Sequence, residues 1–279
     1  MKHLLLIYFV SFFNFIHAQP LPSNIDYIKV SQLFLYAVRT GDSSDQYIQQ
    51  LIKADMQKLH QQLPTDAKKK AFWLNIYNAF VQKLLTENPG KYKNRNSFFS
   101  LKKIVIAGKQ LSLDDIEHGV LRRSKIKWSL GYLNKFFQSD FEKKFRVAKL
   151  DNRIHFALNC GAKSCPPIAY YDPEKIDMQL ELATRNYLKS ETVYDKTSDS
   201  IFLPKIMNWF RADFGGKNGI RKMLKKYQII NSDKEVKISF KKYDWTLFLN
   251  NYKQVSIFNN SCTKINTIAA NNYYLLIFI

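Results

Sequence analysis

The sequence predicts a helix-rich α+β single domain with a small sheet. Three observations carry that expectation. Long segments repeat apolar residues at helical spacing, short β-type runs fall between them, and Gly, Pro and Asp residues punctuate the joins. Charged residues are mixed with aromatics throughout, which is the composition of a folded core and not of a disordered chain.

Residues 1–18 read as an export signal: Lys2 and His3, an apolar run from Leu4 to Phe13, and Ala18 before Gln19 and Pro20. That run is shorter than the roughly 20 residues a membrane-spanning helix needs, and no later segment reaches that length. The expected protein is therefore exported, periplasmic or extracellular, with no membrane span after cleavage. Residues 19–250 are expected to form the domain, and 251–279 a tail of few charges and no clear period.

The elements follow in order. Residues 27–38 and 45–62 read as helices separated by Thr40-Gly41-Asp42. Thr65 caps a long helix over 66–87 that stops before Pro89-Gly90. Its apolar residues run nearly all round, which places it at the centre. KKIVIAGKQLSL reads as two short strands about Ala107-Gly108-Lys109. Ser112 and Asp115 form an S-x-x-D capping pattern before a helix of about three turns carrying DDIEHGVLRRS. Residues 128–149 read as helical and RIHFALNC, 153–160, as a strand. Asp172-Pro173 starts a helix to Leu188. SIFLP is a strand, KIMNWFRADF a helix ending at Gly215-Gly216, and GIRKMLKKY a last helix.

The net charge of +20 invites a nucleic-acid partner. No nucleic-acid motif accompanies it and the lysines are scattered, so nucleic acid is not the expected partner. The chemistry concentrates instead in RIHFALNCGAKSCPPIAY, with three readings. A Cys160–Cys165 disulfide closes a very short loop and is permitted on export. A zinc site lacks a second ligand pair. A thiol nucleophile at Cys160 needs a base.

On an extended strand His155 points away from Cys160, so it is not that base. His60 sits in a polar helix, which leaves His118, with Asp114 four residues earlier to orient its ring. Glu117, adjacent to His118, diverges on a regular helix and lines the same cleft as an acid. Asn75 and Asn78 lie on one side of an apolar helix, where a buried amide must find partners. Either they tie the helix to a loop, or one of them serves the site. Arg122 reads first as a surface charge and second as a carboxylate binder.

FWLNIYNAF, LSLDDIEHGVLR, RIHFALNCGAKSCPP and the late YDW together resemble the DUF547 family, a family of uncharacterised proteins from bacterial exported chains and plants. The resemblance runs from Lys70 to Trp245. It implies Asn75, Asn78, Glu117, His118 and Cys160 as the steady polar positions. The plant members tend to lack matches to His155 and Cys165, which implies that Cys160 is the thiol of interest and leaves Asp114 outside the shared set. It also implies an arrangement distantly similar to thiol-hydrolase folds. The tail departs from the family, whose members end shortly after the YDW match.

The resulting expectation is a thiol-dependent hydrolase or acyl transferase acting on a peptide-like amide. Cys160, His118, Glu117 and Asn78 are its catalytic residues, Asn75 and Arg122 its binding residues, and it needs no cofactor or metal. The alternative is a non-catalytic small-ligand or envelope binding domain with a Cys160–Cys165 disulfide. A zinc hydrolase using His118, Glu117 and Cys160 ranks last.

Overall fold

Four helices open the described chain: α1 (Tyr27–Thr40), α2 (Asp45–Ile52), α3 (Met56–Gln62) and α4 (Asp66–Glu87). The structure, a computed structural model, describes residues 24–195, 197–230 and 236–253. The expected export signal with its expected cut after Ala18, Cys262 and the tail beyond residue 253 lie outside the described residues. Thr65 caps α4 by accepting from Lys68 N, and every residue from Ala71 to Gln82 is buried. This helix is the axis of the larger apolar cluster, where Phe34, Leu35, Trp73, Tyr77, Ile116 and Phe145 meet. The segment 45–62 is two helices and not one, because Asp55 takes the N-cap of α3 and accepts from Lys58 N at 2.7 Å.

A 3₁₀ turn (Pro89–Asn94) leads into α5 (Arg95–Ser100), then β1 (Ile104–Ile106) and β2 (Lys109–Leu111) pair antiparallel with Ile104 opposite Leu111. Ala107 and Gly108 both take positive φ, 50° and 70°, which matches the twist a two-residue hairpin needs. The Ser112–Asp115 cap forms: Asp115 accepts from Ser112 N at 2.9 Å, and Asp115 N donates to Ser112 Oγ at 3.0 Å. The helix it opens, Asp115–Leu121, is a widened π-helix and not a regular α-helix. Its wider bonds include Arg122 N to Glu117 O and Ser124 N to Gly119 O, both 2.8 Å. Such widening recurs where side chains must be re-aimed at a site.

Two expectations fail beyond it. In 128–149 only α6 (Asp140–Phe145) is helical. Positive φ at Arg123, Ser124, Leu130 and Gly131 folds the chain into turns before any helix can propagate. Residues 153–160 are not a strand. Asp151 accepts from Arg153 N and starts a 3₁₀ turn, Asn152–Phe156. An irregular loop follows, in which Asn78 of α4 takes the backbone groups a neighbouring strand would otherwise take. The strand-parity separation of His155 from Cys160 falls with it.

The rest builds the smaller apolar cluster. It comprises α7 (Ile176–Glu191), β3 (Val193–Asp195), β4 (Ser200–Leu203), α8 (Ile206–Trp209), α9 (Gly216–Lys226) and β5 (Lys237–Phe240). β4 is central, antiparallel to β3 and parallel to β5. Helix α7 starts at Ile176 because Asp172 accepts from Glu174 N and holds a turn first. Helix α8 stops at Trp209, short of Gly215-Gly216. Leu188, Leu203, Met207, Ile220 and Leu224 fill this second cluster, and Tyr243 packs against both. The fold is a helix-rich α+β domain, and no described helix is long and apolar enough to cross a membrane.

Candidate functional site

A cavity of about 500 Å³ lies where the two clusters meet. Trp209 and Trp245 stack at 5.4 Å, and Tyr243 packs on both, with centroids 4.7 and 4.5 Å away. Arg95 lies 4.6 Å over the Trp245 ring. Opposite these aromatics, Glu117, His118, Asp114, Tyr77, His155 and the two cysteines complete the wall.

Cys160 and Cys165 form a disulfide, so neither carries a thiol here. The Tyr243 hydroxyl reaches both sulfurs, at 3.2 and 3.1 Å. Burial pushes the Tyr243 phenol well up, so it stays protonated and can donate. Cys160 N points at Cys165 Sγ, 3.0 Å away.

His118 is placed by the π-helix with its Nδ1 2.9 Å from Arg122 Nη1. A guanidinium only donates, so Nδ1 accepts and the neutral ring carries its proton on Nε2. Nε2 then faces Asp114 Oδ1 at 3.5 Å, the orienting partner the four-residue spacing anticipated. This tautomer has no free lone pair with which to take a proton from a thiol. His118 is built to donate from Nε2.

Arg122 is no surface residue. Its side chain is fully buried, its Nε donates to Asp213 Oδ2 at 2.6 Å, and its guanidinium lies 4.4 Å over the Phe210 ring. His155 Nε2 approaches the same Asp213 oxygen at 2.9 Å and stacks on Phe210 at 4.0 Å. The two imidazoles are thus joined through one buried ion pair. Burial raises the Asp213 carboxyl, but bonds from His155 and Arg122 outweigh it and hold the group at about 2. Burial lowers His155 more than Asp213 raises it, so the ring stays neutral beside an ionised carboxylate.

Glu117 Oε2 accepts from the Tyr77 hydroxyl at 3.1 Å, and burial with the nearby carboxylates drives that phenol far up, keeping it a donor. Burial raises Asp114 as well, but bonds from His118 and Lys127 win and its carboxyl lies below the usual range. Lys127 Nζ sits 2.8 Å from it.

Asn75 and Asn78 do not line the cavity. Asn75 Nδ2 donates to Tyr171 O and its Oδ1 accepts from Tyr171 N, both 2.9 Å. Asn78 Nδ2 donates to Ala157 O at 3.0 Å and its Oδ1 accepts from Asn159 N at 2.9 Å. Gln82, one turn on, bonds Asn159 Oδ1 and Asn250 N. These amides form a polar stripe on α4 that fixes the Cys160 loop from behind. Of the expected site residues, the fold gathers Cys160, His118 and Glu117 around one cavity, while Arg122 stands behind His118 and the two asparagines act as clamps.

Sequence reasoning missed Asp213, Tyr77 and the aromatics Trp209, Tyr243 and Trp245, and it set His155 aside on a strand parity that does not hold. Only the YDW match flagged Tyr243 and Trp245, without a role. Asp213 had no signal, since it lies 91 positions from Arg122. Among the described residues no cluster of His, Cys, Asp or Glu has metal-binding geometry.

An α+β domain with an aromatic cavity at the junction of two cores, floored by a carboxylate and an oriented imidazole, is the class the coordinates define. Residues 60–188 match the family model described as "Protein of unknown function, DUF547", and the chain carries a DUF547 domain over that span. Among curated proteins and solved structures nothing matches the chain. The matched span includes Asn75, Asn78, Glu117, His118 and Cys160, and ends before Asp213 and Tyr243.

Proposed function

We propose that this is an exported binding domain for a small ligand with a flat apolar face and hydrogen-bonding groups at one edge. Trp209, Tyr243 and Trp245 supply the stacking surface and Glu117 accepts from the ligand, while Asp114 holds the His118 Nε2 proton and fixes the ring in the wall. The observation that carries this reading is the disulfide in the cavity wall beside an imidazole whose Nδ1 is occupied by Arg122. Nucleophile and base are both withdrawn, while the recognition groups remain. The disulfide also supports export, because such bonds persist in oxidising compartments.

The second reading, a thiol hydrolase or acyl transferase acting on a peptide-like amide, has one observation in its favour: Cys160, His118 and Glu117 border the same cavity. Reduction would return a thiol to position 160. Thiol counting separates the two readings. The binding reading expects unreduced, denatured protein to yield one titratable thiol, that of Cys262, and thermal shifts with dipeptide amides that Glu117→Gln removes. A native Cys160 that alkylates rapidly, and slowly in His118→Ala, would overturn it in favour of the hydrolase.

A further inference from the structure

We propose that residues 123–137 form a docking face for an anionic membrane surface and seat the cavity mouth against it. Six of the ten residues 128–137 are large exposed hydrophobics: Trp128, Leu130, Tyr132, Leu133, Phe136 and Phe137. Phe136 is 87% and Phe137 96% exposed. Single exposed apolar residues are ordinary, but a contiguous set of this kind marks an interaction surface.

The segment is folded, so these side chains are held outward by design of the backbone. Ile126 N donates to Leu133 O at 3.0 Å, Lys135 N to Ser124 O at 2.7 Å, and Ala212 N to Leu130 O at 3.0 Å. Gly131, at φ 87°, packs against the buried Arg122–Asp213 pair, where a methyl would collide with Asp213 Oδ1. The protrusion is therefore anchored on the same ion pair that orients the two histidines.

Charge selects the occupant. Residues 123–137 contain Arg123, Lys125, Lys127 and Lys135 and no Asp or Glu. Lys127 and Lys135 are paired with Asp114 and Glu142, whereas Arg123 and Lys125 make no ion pair among the described residues. A second copy of this chain would bring the same surplus of +20 to the contact and be repelled. Anionic headgroups complement it, and Trp, Tyr and Phe interleaved with cations is the composition that settles at the headgroup boundary. Lys127, Trp128 and Leu130 also border the cavity, so docking opens it toward the lipid. That last consequence rests on the binding reading; the docking itself does not.

Vesicle sedimentation of the full chain tests it, using phosphatidylglycerol–phosphatidylcholine vesicles against phosphatidylcholine alone. The wild type should prefer the anionic vesicles, and less so at high salt. The double variant Phe136→Ser/Phe137→Ser should lose about tenfold in partitioning with an unchanged melting temperature. The apolar run Leu4–Phe13 is common to both chains, so the difference between them is the readout. Equal partitioning to both vesicle types, or an undiminished variant, overturns the proposal. So does light scattering that shows a wild-type dimer which the variant dissociates, since the face would then belong to self-association.

Discussion

Asp213→Asn changes one oxygen for a nitrogen in a side chain that is fully buried, and its effect follows from two bonds. Asp213 Oδ2 accepts from Arg122 Nε at 2.6 Å and faces His155 Nε2 at 2.9 Å. Removing the negative charge leaves a fully buried guanidinium uncompensated, and breaking a buried pair in this way costs about 3–5 kcal/mol. The pH arithmetic gives an independent figure. A carboxyl held at about 2 in the fold, against 3.8 when unfolded, contributes about 2 kcal/mol at neutral pH. That contribution is fully present above the unfolded value and is lost as pH falls through the folded one. Urea denaturation of both chains at pH 7.5, 5 and 3.5 is the assay. The expected loss in the variant is about 3 kcal/mol at pH 7.5, persisting at pH 5 and narrowing by pH 3.5. A loss under about 1 kcal/mol, or one equally large at pH 3.5, would refute the claim that a buried charge pair orients the two histidines.

The remaining predictions concern single groups around that pair. His155 is buried neutral with its value lowered, so the unfolded chain binds the extra proton and stability should fall as pH drops below 6.5. His155→Gln should flatten that part of the urea profile. Asn78→Ala orphans the Ala157 carbonyl and the Asn159 amide together, and should cost about 2–4 kcal/mol by denaturation. Gly131→Ala forces a side chain to φ 87° and against Asp213, and should lower the melting point by the equivalent of about 2 kcal/mol or more. Replacing Cys160 and Cys165 together by serine releases a loop of sequence separation 5, and should cost about 2 kcal/mol in thermal denaturation.

The parts of the fold legible in the sequence were those fixed by local chemistry. The α4 helix runs over the predicted residues because a Thr cap, an unbroken apolar run and a following Pro all act within one turn of their effect. The Ser112–Asp115 cap and the Ala107-Gly108 hairpin are local in the same sense. The strand expected at 153–160 went wrong for the complementary reason. Its apolar alternation was genuine, but Asp151 and the Asn78 clamp offered the backbone nearer partners than any strand could. His118 and Asp114 could be paired from their spacing, whereas the tautomer of His118 depended on where Arg122 pointed.

By itself the sequence determined the helix-rich α+β class, the central helix and its caps, since each depends on neighbours within a few residues. Only the tertiary structure decided that Cys160 is bridged to Cys165, that Arg122 is buried on Asp213, and that Tyr243 and Trp245 close the cavity. The last two outcomes are set by contacts between segments remote along the chain, which leave no periodicity to read, and the first by how the short loop between the cysteines folds.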